Sequence, residues 1–149
     1  MIIRFLNHNI KFNLRFKKRI REKLIKISEI EGFLIGEINI IFTSDINLLK
    51  INQKYLSHNY LTDILTFDYS VKNILNGEIY ISIIRIRDNS KLYNVSFDNE
   101  LYRVIIHGFL HLIKYDDLNI KDKIEMKKKE NFYLNEFKDL FIVINKAKI

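Results

Sequence analysis

The chain has no cysteine, no proline and no tryptophan, and only four glycines in 149 residues. Without thiols it has neither disulfides nor thiolate-held metals, so any metal must be bound through nitrogen and oxygen. No Pro- or Gly-rich linker, internal repeat or low-complexity tract divides it, and a single domain over 1–149 is expected. No apolar run approaches the roughly 18–20 residues of a membrane span. The opening residues, Met1 to His8, lack the apolar stretch and small-residue cleavage site of a signal peptide, so a cytoplasmic location away from membranes is expected.

What is abundant is lysine, isoleucine, asparagine, phenylalanine and tyrosine. The 48% apolar content is ordinary for a globular protein. The net charge is +7 and the pI about 9.5. Such a surplus suits a phosphate-bearing partner, because neutralising phosphates releases counterions. Accumulation of lysine through AT-rich codons accounts for the charge equally well. Charge alone leaves the two readings even.

Hydrophobic spacing outlines the elements. Ile2 to Phe5 reads as a strand. Phe12, Phe16, Ile20, Leu24 and Ile27 recur with helical period, predicting a helix over 12–30 whose many lysines and arginines form a solvated face. Glu37 to Thr43 reads as a strand and Asp45 to Tyr55 as a helix capped by Ser44, with Ile46, Leu48 and Leu49 inward. Thr62–Asp68 and Gly77–Ser82 read as strands of an antiparallel pair. Three helices follow: Ile83 to Asn94 with Arg85 and Arg87 outward, one started by Ser96 or Asp98, and one from Lys121 to Phe137. The tail Leu140 to Ile144 fits either helix or strand. This order implies an α+β fold, a small mixed sheet covered by helices.

The richest tract is Val104 to Asp117. It holds two of the four histidines, His107 and His111, one helical turn apart in an apolar run. Residues four apart share a helix face, with Cβ atoms about 5–6 Å apart, so both imidazoles can reach one metal ion. Asp117, just past the helix end, supplies a third ligand if the chain turns back, leaving a fourth position for water. The competing reading is a pair of core histidines with no ion. Gly108 stands where a zinc protease helix has its glutamate, which argues against a protease. A glycine there costs about 1 kcal/mol of helix stability and implies close approach of a strand or a substrate backbone.

The run His107-Gly108-Phe109-Leu110-His111-Leu112, followed by Tyr115-Asp116-Asp117, resembles the signature of the YbeY family, His-Gly-x-Leu-His-Leu-x-Gly-Tyr-Asp-His. Two further blocks are similar to that family in the same order. They are Asn52 and Tyr55 with Leu61-Thr62-Asp63-Ile64-Leu65-Thr66-Phe67, and Gly77-Glu78-Ile79-Tyr80-Ile81-Ser82. The resemblance spans roughly residues 35–135. It implies an α+β fold with one metal at the end of a cleft. It also implies a zinc-dependent, single-strand-specific endoribonuclease acting in rRNA maturation (the 3′ end of 16S rRNA) and ribosome quality control. RNA, the ribosome and its proteins are the implied partners. The alternative is a non-catalytic rRNA-binding assembly factor with a structural metal.

The chain departs from the pattern at several positions. Asp117 replaces the family's third histidine, which keeps a zinc-type ligand but admits harder ions. Lys114 replaces a glycine that would stop the helix in a left-handed turn. Leu56 stands in place of an arginine thought to engage phosphate, with Lys54 or His58 as substitutes, and Leu61 in place of a proline. The expected ligands and catalytic residues are therefore His107, His111 and Asp117. Asp63, Glu78 and Asp116 are expected as an orienting partner or a base. Glu130 and Asn131 read as structural.

Overall fold

Strand β4 (Ile74–Ser82) shows how the sequence makes the fold. Leu75, Gly77, Ile79 and Ile81 are buried, while Asn76, Glu78 and Tyr80 between them are half-buried. That two-residue alternation gives the sheet one apolar face for helices and one mixed face. In this computed structural model, which describes residues 1–56 and 62–141, the remaining elements surround β4. They are β1 (Ile2–Asn7), α1 (Lys17–Glu31), β2 (Leu34–Thr43), α2 (Asp45–Leu56), β3 (Ile64–Asp68), α3 (Ile83–Leu92), α4 (Phe97–Leu112) and α5 (Ile120–Leu134), with a 3-10 turn at Asn135–Phe137. His58, Leu61 and the tail beyond 141 lie outside the described residues.

The sheet order is β1-β2-β4-β3. β1 and β2 are parallel, as are β2 and β4, whereas β3 runs antiparallel to β4 at the edge. The expected α+β class with a mixed sheet is what forms. Helix α4 is apolar almost all round: Leu101, Tyr102, Val104, Ile105, Ile106, Phe109, Leu110 and Leu112 are all buried. Such a helix can only be central. It lies on the sheet and packs against α3 and α5.

Gly108 explains how closely α4 approaches the sheet. A Cβ there would lie 2.6 Å from Ile64 Cδ1 and 2.8 Å from Ile79 Cγ2. The close neighbour that glycine admits is therefore the sheet. At the start of α4, the Ser96 hydroxyl accepts from the Asn99 N–H at 3.0 Å, which decides the cap in favour of Ser96 over Asp98. At the end, the Lys114 N–H bonds the His111 carbonyl (3.1 Å) and the Tyr115 N–H bonds the Leu110 carbonyl (3.0 Å). Lys114 adopts φ +81°. The left-handed stop that a glycine would make with ease is thus made by a lysine, whose ammonium pairs with Asp68.

Several expectations are corrected. Helix α1 starts at Lys17 rather than 12, because Phe16 takes a left-handed φ of 60° and Phe12 packs edge-on to Phe42, 5.0 Å between centroids. β2 starts at Leu34, and β3 only at Ile64. Ile46 points outward at 68% exposure, whereas Leu48 is buried. Arg85 is held inward by Asp45 at 2.7 Å.

Candidate metal centre

His107 and His111 form a half-buried strip of α4 that borders a cleft beside β3. Their rings meet edge to face, 4.6 Å between centroids, with the two Nε2 atoms 3.0 Å apart. The turn at Lys114 reverses the chain and returns Asp117 to this strip. Its Oδ2 lies 3.3 Å from His107 Nε2 and 3.6 Å from His111 Nε2. Among the described residues this is the one His/Cys/Asp/Glu group whose ligand atoms all fall within 4.8 Å of one another.

The triangle suits an ion. Donors about 2.0–2.1 Å from a tetrahedral metal stand about 3.4 Å from one another. The three edges straddle that value. Two nitrogens and one carboxylate oxygen are also zinc-type ligands. The fit comes with the chain's own orientation of the donors, since His107 Nδ1 is engaged by Glu130 Oε2 at 2.8 Å. That contact turns Nε2 toward Asp117. The other Glu130 oxygen accepts from Arg103 at 3.2 Å, and the same guanidinium donates to Asn131 at 3.0 Å. The carboxylate is thus held from both ends, as orienting partners of metal-bound histidines commonly are.

Electrostatics separate the two imidazoles. Burial pulls the His107 pKa down, but the hydrogen bond and charge of Glu130, with Asp117 and Asp63, outweigh it and hold it above the ordinary value. Burial and the neighbouring His107 hold His111 below its ordinary value. Glu130 is pushed up by burial, yet His107 and Arg103 leave it lower than an ordinary glutamate. The centre opens into a cleft of about 440 Å³ lined by residues of β3 and its approach, including Thr62, Asp63, Thr66 and Asp68, and by Asp116. Burial raises the Asp63 pKa, only partly offset by His107. Its place in the wall of the cleft puts this carboxyl beside the centre, where a proton donor or acceptor is useful. An adjoining recess brings Glu100, Arg103 and Glu130 next to His107, Asp117 and Asp63. Glu100 is 4% exposed, and burial raises its pKa.

Of the residues expected from sequence, His107, His111 and Asp117 come together, with Asp63 and Asp116 in the same cleft. Glu78 does not join them. It points from β4 to the opposite face of the sheet, where Tyr69 and Tyr80 hold it at 3.2 Å each. Glu130, read as structural, is the direct partner of His107. Its signal lay in α5 and the 3-10 turn after it, where Met126, Glu130, Tyr133 and Phe137 form a buried stripe at helical spacing. An acid inside an apolar stripe requires a partner.

Comparison with known proteins accords with this geometry. The family model described as Endoribonuclease YbeY matches residues 3–138. The chain belongs to the YbeY family. Endoribonuclease YbeY of Flavobacterium psychrophilum is 42% identical over 134 residues, covering 86% of this chain and 96% of that protein. The Karelsulcia muelleri YbeY is 47% identical over 112 residues, 75% of this chain and 79% of that one. A solution structure from Thermotoga maritima superposes with a TM-score of 0.66 at 30% identity, covering 93% of this chain and 91% of that chain. The YbeY resemblance in the three sequence blocks and the α+β fold it implied are both borne out. The family's activity is hydrolysis of RNA, which makes RNA the class of substrate. No helix among the described residues is long and apolar enough to cross a membrane.

Proposed function

We propose that His107, His111 and Asp117 hold one zinc ion, and that the whole chain, as one YbeY domain, uses this centre to cut single-stranded rRNA. The processing step at the 3′ end of 16S rRNA, and ribosome quality control, are the roles this reading assigns. The ribosome and its proteins are its partners, and the cytoplasm its location. The observation that carries the reading is the triangle of two imidazole nitrogens and one carboxylate oxygen, at 3.0, 3.3 and 3.6 Å.

Bound zinc supplies Lewis acidity toward phosphoryl oxygens and lowers the pKa of a coordinated water toward about 7. The chain's own residues do the rest. Glu130 and Arg103 fix the His107 ring, so both Nε2 atoms face one point without rearrangement. Asp63, in the wall of the cleft with a raised pKa, takes or returns a proton at the reacting oxygen. Asp116, exposed at the cleft mouth, is the second candidate for that role. The positive net charge draws the RNA backbone to the surface.

Metal analysis of the protein as isolated, paired with cleavage of single-stranded and duplex RNA, tests the reading. The expected result is one zinc per chain and chelator-sensitive cutting of the single strand. His111→Ala is expected to lose both metal and cutting. Full zinc content and full cleavage in His111→Ala would defeat the proposal. Tight RNA binding by the metal-loaded protein with no cleavage would assign it instead to the non-catalytic assembly factor.

A further inference from the structure

The face of the sheet away from α4 carries a groove of about 460 Å³ that the metal chemistry does not use. Its size falls in the range of small-ligand sites, about 300–1,000 Å³. Aromatic rings wall it. Phe67 on β3 stands edge-on to Tyr80 on β4 (5.8 Å, 87°) and to Tyr55 on α2 (6.1 Å, 81°). Tyr55 is 62% exposed and Tyr69 58% exposed, so these rings are not explained by the core. Between them lies the Glu78 carboxylate. It accepts from the Tyr69 hydroxyl through Oε1 and from the Tyr80 hydroxyl through Oε2, at 3.2 Å each. Those bonds are long for O–H···O, and each carboxylate oxygen keeps a lone pair for a ligand. The Tyr80 pKa is pushed up to about 12, by burial first and then by Glu78, so its hydroxyl keeps its proton and donates.

We propose that this groove binds a guanine base of single-stranded RNA, with Glu78 reading its Watson–Crick edge. Guanine alone among the four RNA bases presents two adjacent donors, N1–H and the N2 amino group, at the spacing of a carboxylate's two oxygens. Uracil offers one N–H between two carbonyls, and adenine and cytosine a single amino donor beside an acceptor. Aromatic walls favour any base by stacking; the carboxylate makes the choice among them. Lys54, whose ammonium lies 5.2 Å from the Tyr55 ring centroid, adds positive charge beside the groove for a phosphate.

The two sites share a wall. β3 is the sheet edge, and its residues alternate between faces: Thr66 and Asp68 line the metal cleft, whereas Phe67 lines the groove. A single strand folded over this edge reaches both, so the groove sets which sequence lies near the cutting point. This inference rests on RNA being the substrate, as proposed above.

The test measures binding by the full-length protein of 5′-GMP, AMP, CMP and UMP, and of short single-stranded oligonucleotides with or without one guanine. The guanine oligonucleotide is expected to bind about tenfold or more tighter than its guanine-free counterpart. Glu78→Gln is expected to erase that preference. Chelator and His111→Ala are expected to leave guanine binding intact, so a failed nuclease reading and a failed groove assignment give different results. Chemical-shift mapping of GMP on the unaltered protein should peak at Phe67, Glu78 and Tyr80, which keeps the proposal testable if Glu78→Gln does not fold. Equal binding of all four bases, a preference that survives in Glu78→Gln, or shifts centred on α4 would overturn it. GMP binding as tightly as the guanine oligonucleotide would overturn the RNA assignment in favour of a free nucleotide.

Discussion

Glu130 contributes to the candidate centre by orienting His107 rather than by offering a ligand atom of its own. Its carboxylate holds His107 by Nδ1 and is itself held by Arg103. Replacing it with glutamine keeps the size and removes the charge. Glu130→Gln is expected to weaken zinc binding about 10–100-fold, read by competition with a chromogenic chelator. Lys114 makes the opposite case. It occupies φ +81°, a region that costs a non-glycine residue about 1–2 kcal/mol. Its ion pair with Asp68 is more than half exposed on the lysine side and returns little. Lys114→Gly is therefore expected to raise stability by about 1 kcal/mol in urea unfolding, with zinc affinity unchanged.

At the scale of elements, the site depends on how closely helix α4 lies on the sheet. Two glycines set that distance, and they differ in what crowds them. A Cβ on Gly77 would meet the Phe67 carbonyl oxygen at 2.5 Å and Leu112 Cδ2 at 2.8 Å. A backbone oxygen in a paired strand cannot step aside. A Cβ on Gly108 meets only side-chain methyls of Ile64 and Ile79, and alanine gains about 1 kcal/mol of helix propensity there. Gly77→Ala is expected to cost about 1–3 kcal/mol or more. Gly108→Ala is expected to cost clearly less. Denaturant midpoints of the two variants check the order, and the reverse order would mean that the α4–sheet contact is looser than described.

At the scale of the whole molecule, α1, the turn that follows α4, and α5 are tied together through Glu31. Its carboxylate accepts from the hydroxyls of Tyr115 and of Tyr133 (2.6 Å), and Lys129 lies 3.3 Å away. Burial raises its pKa, but those hydrogen bonds and the lysine charge outweigh burial and leave it below the ordinary value of 4.5. The folded state then holds this proton less tightly than the unfolded chain. Its contribution to stability is complete at neutral pH and is lost as pH falls below the ordinary glutamate value and through the lowered one. Glu31→Gln is expected to flatten the acid limb of a stability-against-pH curve without changing its slope near neutrality. Charge acts at the same scale. Lys23 pairs with Asp139 at 2.7 Å, and Arg21 donates to the Ile3 carbonyl at 2.8 Å, so part of the basic run on α1 is committed to the fold rather than to solvent. RNA affinity should still fall with salt, with a log–log slope of about −0.7 per phosphate neutralised. A flat salt dependence would remove the electrostatic account of RNA binding.

The amino-acid sequence suffices to restrict the candidate ligand chemistry and to place it on one helix. The absence of cysteine left only nitrogen and oxygen donors, and the four-residue spacing of His107 and His111 set both rings on one face, because helical period is a local property of the chain. The motif blocks also indicated the family and the α+β class. The start of α1 and the outward Ile46 are not legible in the sequence, since periodicity does not register a left-handed residue at Phe16 or which side of a short helix finds a partner. Long-range packing, by contrast, brings Asp117 to the two imidazoles, sets Glu130 rather than Asp63 against His107 Nδ1, and turns Glu78 away from the cleft into a separate groove. Those outcomes turn on a chain reversal at Lys114, on α5 packing against α4, and on which face of β4 meets the core. They are contacts between residues far apart in sequence, set by how whole elements bury their apolar faces rather than by the spacing within any one of them.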